Sequence, residues 1–230
     1  MKKLLLLISA TLFLMATELP KSIETTIQTF DNKGNIQLES TIPKGMSGII
    51  IHNYGNGLSA ITHSTVSQGQ QTATFKSYDA LRHENLPNIK TAPQKGDKVI
   101  FGNLYNNTLL IAPDQQSYAK ITESIKRSWI HPDIYAMYLI RKEKTSLSLE
   151  NLKSFAQDNQ VGLIAIADKN SLKILDPISG EYLVQQPLNI SVAKAQSPFY
   201  ARFEQIANGF FGNNGTVSFT EYYRGVGKLK

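Results

Sequence analysis

The sequence contains no cysteine, which excludes a disulfide framework, a thiol nucleophile, an iron–sulfur centre, a thiolate zinc site and a lipid-modified cysteine together. Such a chain must hold itself together by burying apolar surface. Histidine is scarce as well: His52, His63, His83 and His131 are the whole supply, and none stands in a metal-type spacing such as HExxH. His83-Glu84 opens that pattern without a second histidine at the helical offset. His52 and His63 can face each other across a hairpin, but a two-histidine site still needs further ligands to complete a metal shell. A nucleophile elbow is missing too, since Ser47 lies in GMSG and Ser59 in GLSA rather than in GxSxG. The GNG at Gly55 to Gly57 serves a hairpin better than a phosphate. No catalytic residue, cofactor or metal is expected, and the reading is of a binding protein rather than an enzyme.

Concentrated charge is lacking. The 24 basic residues exceed the 18 acidic ones by six, yet Lys2 and Lys3 belong to the leader and the rest scatter. The densest runs, Lys126-Arg127 and Arg141 to Lys144, read as solvated faces. A nucleic-acid partner, which asks for a basic stripe with interleaved aromatics, is not expected. The tripeptide His131-Pro132-Asp133 matches the stimulating loop of J-domains in three letters only; that loop joins two helices, and here a strand-like run follows.

What is present begins with MKKLLLLISATLFLMA, residues 1–16: two lysines, then an apolar run from Leu4 to Ala16. This is the pattern of a secretory signal peptide, with cleavage after Ala16. The run is too short to cross the roughly 30 Å of a bilayer core as a helix, and Glu18 and Pro20 follow at once. No transmembrane anchor is therefore expected after cleavage. The compartment expected is beyond the inner membrane of a bacterium, at the cell surface or in the periplasm.

From Ser22 to Pro113 short apolar runs alternate with turn residues, as strands joined by hairpins do. IETTIQTF, NIQLES, SGIIIHN, LSAITHS, QTATFKSY, KVIF and TLLIA are the strands, with Asn56-Gly57 the strongest turn signal. This predicts a small barrel or sandwich over residues 22–113. Residues 114–195 then alternate helices with strands. A helix over DQQSYAKITESIKRS places Tyr118, Ile121 and Ile125 on one face, and DIYAMYLIR reads as a strand buried on both sides. A capped helix runs from Ser148 to Asn159, with strands at Val161 to Asp168, Ser171 to Asp176 and Glu181 to Pro187. In residues 196–230 a closing helix is expected from Ser197 to Gly212, with Pro198 at its first position and Phe199, Phe203, Ile206 and Phe210 along a core stripe, followed by a flexible tail. The fold class expected is α+β: a barrel-like or sandwich unit, a smaller α/β unit and a closing C-terminal helix.

Several long segments carry a resemblance. KGDKVIFGNLYNNTLLIAPDQQSYAKI (Lys95 to Ile121), VGLIAIADKNSLKILDPISGEYL (Val161 to Leu183), SPFYARFEQI (Ser197 to Ile206) and HENLPNIKTAPQKGD (His83 to Asp97) are similar, in order and separation, to the N-terminal domain of the plasminogen-binding proteins of epsilon-class proteobacteria. The resemblance implies a surface-associated protein that captures host plasminogen, with a carboxy-terminal lysine as the recognised feature. Lys230 answers to that lysine, and Lys228 adds a second cation. A kringle takes an ammonium on acidic groups, a carboxylate on basic groups and the methylene stem between aromatic rings. Gly225 and Gly227 are expected to leave the segment loose. The members resembled continue into a Lys/Glu-rich tail that this sequence does not show, which keeps open a periplasmic accessory or scaffold protein with an envelope partner and no plasminogen activity.

Overall fold

A computed structural model describes residues 19–78, 91–144, 147–192, 194–203 and 216–229. The leader at 1–16, His83, the positions 206 and 210 of the expected phenylalanine stripe, and Lys230 lie outside the described residues.

Six strands close a barrel: β1 (Ile23–Phe30), β2 (Asn35–Leu38), β3 (Ser47–Gly55), β4 (Leu58–Gly69), β5 (Thr72–Ser77) and β6 (Lys98–Phe101), in the order β1-β2-β5-β4-β3-β6. All the pairings are antiparallel, and β6 returns to β1 with Ile23 opposite Phe101. Closure leaves no free strand edge. Alternation sends Ile27, Ile36, Leu38, Ile50, Val99 and Phe101 inward, where all are buried. The turns follow local chemistry. The Asp31 carboxylate accepts from the backbone N–H of Lys33 and Asn35, at 2.8 and 2.9 Å, and so shapes the β1–β2 turn. Asn56 and Gly57 both take positive φ, 51° and 78°, as the tight β3–β4 hairpin demands.

Beside the barrel lies a five-stranded sheet in the order β11-β10-β9-β7-β8, made of β7 (Asn107–Ile111), β8 (Ser128–Ile130), β9 (Leu163–Ala167), β10 (Ser171–Asp176) and β11 (Glu181–Pro187). The pairs β7–β8 and β7–β9 are parallel; β9–β10 and β10–β11 are antiparallel. Leu110, Ala112, Leu163, Ala165, Leu172 and Ile174 face the barrel and join its core. Leu109, Ile111, Ile164, Ile166 and Leu175 face the other way, toward helices. Burial on both faces explains why these strands read as unbroken apolar runs.

Helix α1 (Gln115–Ser124), capped by Asp114, puts Ile121 and Ile125 into the barrel-side core. Helices α2 (Pro132–Arg141), α3 (Leu149–Asn159) and α4 (Phe219–Val226) cover the opposite face, and a two-stranded ribbon of β12 (Lys194–Gln196) and β13 (Thr216–Ser218) precedes α4. Gly162, entering β9, touches the preceding crossover so closely that a Cβ there would lie 2.2 Å from the Leu104 carbonyl. Only glycine fits.

Three expectations are corrected. DIYAMYLIR is helix α2, not a strand: the His131 Nδ1 accepts the Asp133 N–H at 3.1 Å as N-cap, Pro132 opens the helix and Asp133 lies in its first turn. The tripeptide thus joins strand β8 to a helix. TLLIA does not complete the barrel but is central in the second sheet, because its N-terminal neighbour is the turn at Gly102 to Asn107 rather than a hairpin back onto β6. Ser197 to Phe203 is not helical. Its backbone N–H groups pair elsewhere: Tyr200 with the Ala112 carbonyl at 2.8 Å, Ala201 with the Gln196 side chain at 3.3 Å, and Arg202 with the Asp133 carboxylate at 2.8 Å. The helix at the C-terminal end is α4.

Candidate functional site

The partner-facing lysines predicted from sequence belong to the end of α4. Ser218 caps this helix through a reciprocal box: its hydroxyl accepts from the Glu221 N–H at 3.2 Å, and the Glu221 carboxylate accepts from the Ser218 N–H at 3.1 Å. The bonds from Ser218 hold the Glu221 carboxyl below its usual range. Tyr222 and Val226 are buried among the helices and the sheet. The Tyr222 hydroxyl donates to the Ala167 carbonyl at 3.3 Å, and burial pushes its pKa up. Tyr223 and Arg224 remain exposed on the outer side.

The looseness expected of the segment after Tyr223 is not found up to Leu229. Gly225 lies inside α4 and Gly227 is its C-cap. The N–H groups of Gly227, Lys228 and Leu229 donate to the carbonyls of Tyr223, Gly225 and Val226 at 2.8, 3.2 and 3.2 Å. Leu229 is only 5% exposed, and its carbonyl accepts from the Tyr182 hydroxyl at 2.7 Å. Lys228, between two anchored neighbours, is exposed. The other predicted residue, Lys230, is outside the described residues.

Next to this end of α4 the sheet contributes the Tyr182 ring from β11, and Lys173 of β10 lies near Tyr182 and Tyr223. The Lys173 ammonium pairs with the buried Asp168 at 2.8 Å, and the hydrogen bond to that carboxylate holds its pKa above the usual lysine value. Tyr182 and Tyr223 both lie close enough to Lys173 to influence its titration. Burial raises the Tyr182 phenol, with Lys173 acting against it. The exposed cations at this end are therefore Arg224 and Lys228, one helical turn apart, with Tyr223 on the same helix and Tyr182 bonded to the residue after Lys228, while the Lys173 charge is answered by Asp168. Sequence reasoning missed Tyr182, which is 47 residues from its partner Leu229 and carries no local signal for that contact.

Elsewhere the titratable groups serve the fold. Asp176, fully buried, accepts from the Tyr105 hydroxyl at 2.7 Å, from the Ser47 N–H at 2.8 Å and from the Ile178 N–H at 2.9 Å, so it joins barrel, crossover and β10–β11 turn. Burial, first, and the Asp176 charge push the Tyr105 pKa up. Asp133 holds Arg202 through the Arg202 Nε at 2.6 Å and lies 3.2 Å from His131 Nδ1. Burial nevertheless keeps the His131 pKa below its usual value. His52 and His63 do not oppose each other: the β3–β4 register pairs His52 with Ala60 and His63 with Ile50, and His52 Nδ1 is taken by Asp97 Oδ1 at 2.7 Å. Among the described residues no group of three or more His, Asp or Glu side chains could hold a metal ion. No helix among them is long and apolar enough to cross a membrane.

Known proteins match this chain over most of its length. The family described as plasminogen-binding protein pgbA N-terminal matches residues 22–226. Two curated relatives, the plasminogen-binding proteins PgbA of Helicobacter pylori strains J99 / ATCC 700824 and ATCC 700392 / 26695, are 32% and 31% identical over 149 residues. The aligned part is 64% of this chain and 32% of each relative, so the match spans about a third of those proteins. No solved structure matches the chain.

Proposed function

Because the chain belongs to the family of the PgbA N-terminal region, we propose that it is an exported binding protein that captures host plasminogen at the cell surface. The observation that carries this reading is the family match over residues 22–226. The leader at residues 1–16, with its paired lysines and apolar run, supports export. For the contact itself we assign Lys228 and Lys230, with the Tyr182 and Tyr223 rings at the margin of the same surface. A kringle pocket that presents carboxylates and aromatic rings is complementary in charge to this face, and such complementarity sets both encounter rate and register. Catalysis forms no part of the proposal, in keeping with relatives named as binding proteins.

The test is capture of purified plasminogen on an immobilised full chain. Binding should be displaced by a free ω-amino acid, should weaken with salt, and should fall at least tenfold in Lys228→Ala/Lys230→Ala. Equal binding by the double variant would remove the two lysines from the proposal. The second reading is a periplasmic accessory or scaffold with an envelope partner, which the same leader would serve equally well. Absence of any plasminogen binding, together with antibody labelling of cells only after outer-membrane permeabilisation, would select that reading.

A further inference from the structure

The barrel is packed with apolar side chains along its length, but between the β1–β2 turn and strand β5 its mouth holds a cavity of about 490 Å³. That is within the ~300–1,000 Å³ range of small-molecule sites, and the mouths of β-barrels are a common place for them. Three rings line it: Phe30, 43% exposed at the end of β1, Phe75, and His63, which stands edge-on to Phe75 with centroids 5.1 Å apart. Asn32, Lys33 and Ser77 also line it.

The polar groups divide into committed and uncommitted. Asp31 is occupied by its own turn, accepting from the Lys33 and Asn35 N–H groups and from Asn35 Nδ2 at 2.8 Å. The Thr91 hydroxyl is shared with Tyr54 at 2.6 Å, and His52 is held by Asp97. His63 Nδ1, in contrast, is buried with no hydrogen-bond partner. Buried polar atoms are normally satisfied, so an orphan nitrogen in a ring that lines the cavity shows that the fold itself does not use this imidazole. Burial also holds the His63 pKa below its usual value, which keeps the ring neutral, with one nitrogen donating and the other accepting.

A ligand for this mouth must offer apolar faces to the rings and hydrogen-bonding groups to His63, Asn32 and Ser77. A hydrocarbon chain leaves the polar groups unmet, and a bare anion leaves the rings unmet. A sugar ring meets both. Its C–H bonds, polarised by the ring oxygens, lie favourably on aromatic faces. Its hydroxyls donate or accept, and so suit the imidazole in either tautomer. We propose that the barrel mouth is a saccharide-binding site. Such a sugar has two natural sources, the bacterial wall and animal glycans, and the chemistry recognised is the same.

The experiment titrates the full chain with N-acetylmuramate, N-acetylneuraminate, glucose and phenylacetate while following the imidazole resonances of His63. Saturable shifts are expected with the sugars, and whichever of N-acetylmuramate and N-acetylneuraminate binds more tightly identifies the source. Phe30→Ala should weaken sugar binding at least tenfold with the far-UV circular dichroism unchanged. Lys228→Ala should have no effect. The proposal is overturned if no sugar shifts His63, if phenylacetate binds as tightly as the sugars, or if Phe30→Ala binds them as before.

Discussion

Asp176 is the residue whose removal tests the joint between the two halves of the molecule. Its two oxygens serve donors from three places: Ser47 at the start of β3, Tyr105 in the crossover, and Ile178 and Ser179 in the turn leaving β10. Asp176→Ala leaves a buried phenol and a buried N–H without acceptors, each costing ~1–3 kcal/mol. The expected loss is about 3 kcal/mol or more in urea unfolding. Asp176→Asn, which keeps one acceptor oxygen in the same shape, should recover part of it. An alanine variant as stable as the parent would show that water replaces the carboxylate and that the network adds nothing. This joint could not be read from the sequence. Asp176 precedes Pro177 and looks like a turn residue, and its partner Ser47 is 129 positions away.

At the scale of elements, legibility followed how completely a segment shows one period. Strand β1 matched its alternating stretch, and α3 its capped span from Ser148 to Asn159, because one face is buried and the other solvated. Helix α2 misled because Ile134 and Met137 are large, apolar and exposed, so DIYAMYLIR looks apolar on every side. The better signal was the start, His131-Pro132-Asp133, which has a cap, a first-turn proline and a first-turn acid. The segment at Ser197 failed the opposite way: its local start signal is good, but the Gln196 side chain, the Ala112 carbonyl and Asp133 take the N–H groups a helix would use. Lys228 was legible as a residue but its setting was not, since Tyr182 reaches the neighbouring Leu229 only through the sheet. A pair of substitutions separates helix from strand in α2. Met137→Lys should change stability by no more than about 0.5 kcal/mol, whereas Leu139→Ala, fully buried, should cost about 2–5 kcal/mol. On a strand buried on both sides the lysine would be the more damaging of the two.

On the scale of the whole molecule, barrel and sheet share one core rather than meeting at a wetted interface. Ile27, Ile50, Val99 and Phe101 of the barrel belong to the same buried cluster as Leu110, Leu163, Leu172 and Ile174 of the sheet, and Trp129 of β8 packs against it. Neither half buries its apolar face without the other, so they should unfold as a unit. Trp129, the single tryptophan, reports the sheet side of that shared core, while far-UV circular dichroism reports both halves. The urea midpoints by the two probes should coincide. The sharper arm is Ile50→Ala, deep in the barrel and in a different half from the tryptophan. It removes about 2–5 kcal/mol through the cavity it leaves, and the Trp129 transition should move to lower urea by as much as the dichroism transition. If the tryptophan transition stays where it was while the dichroism splits into two steps, the halves are separately folded and the shared core contributes little to either.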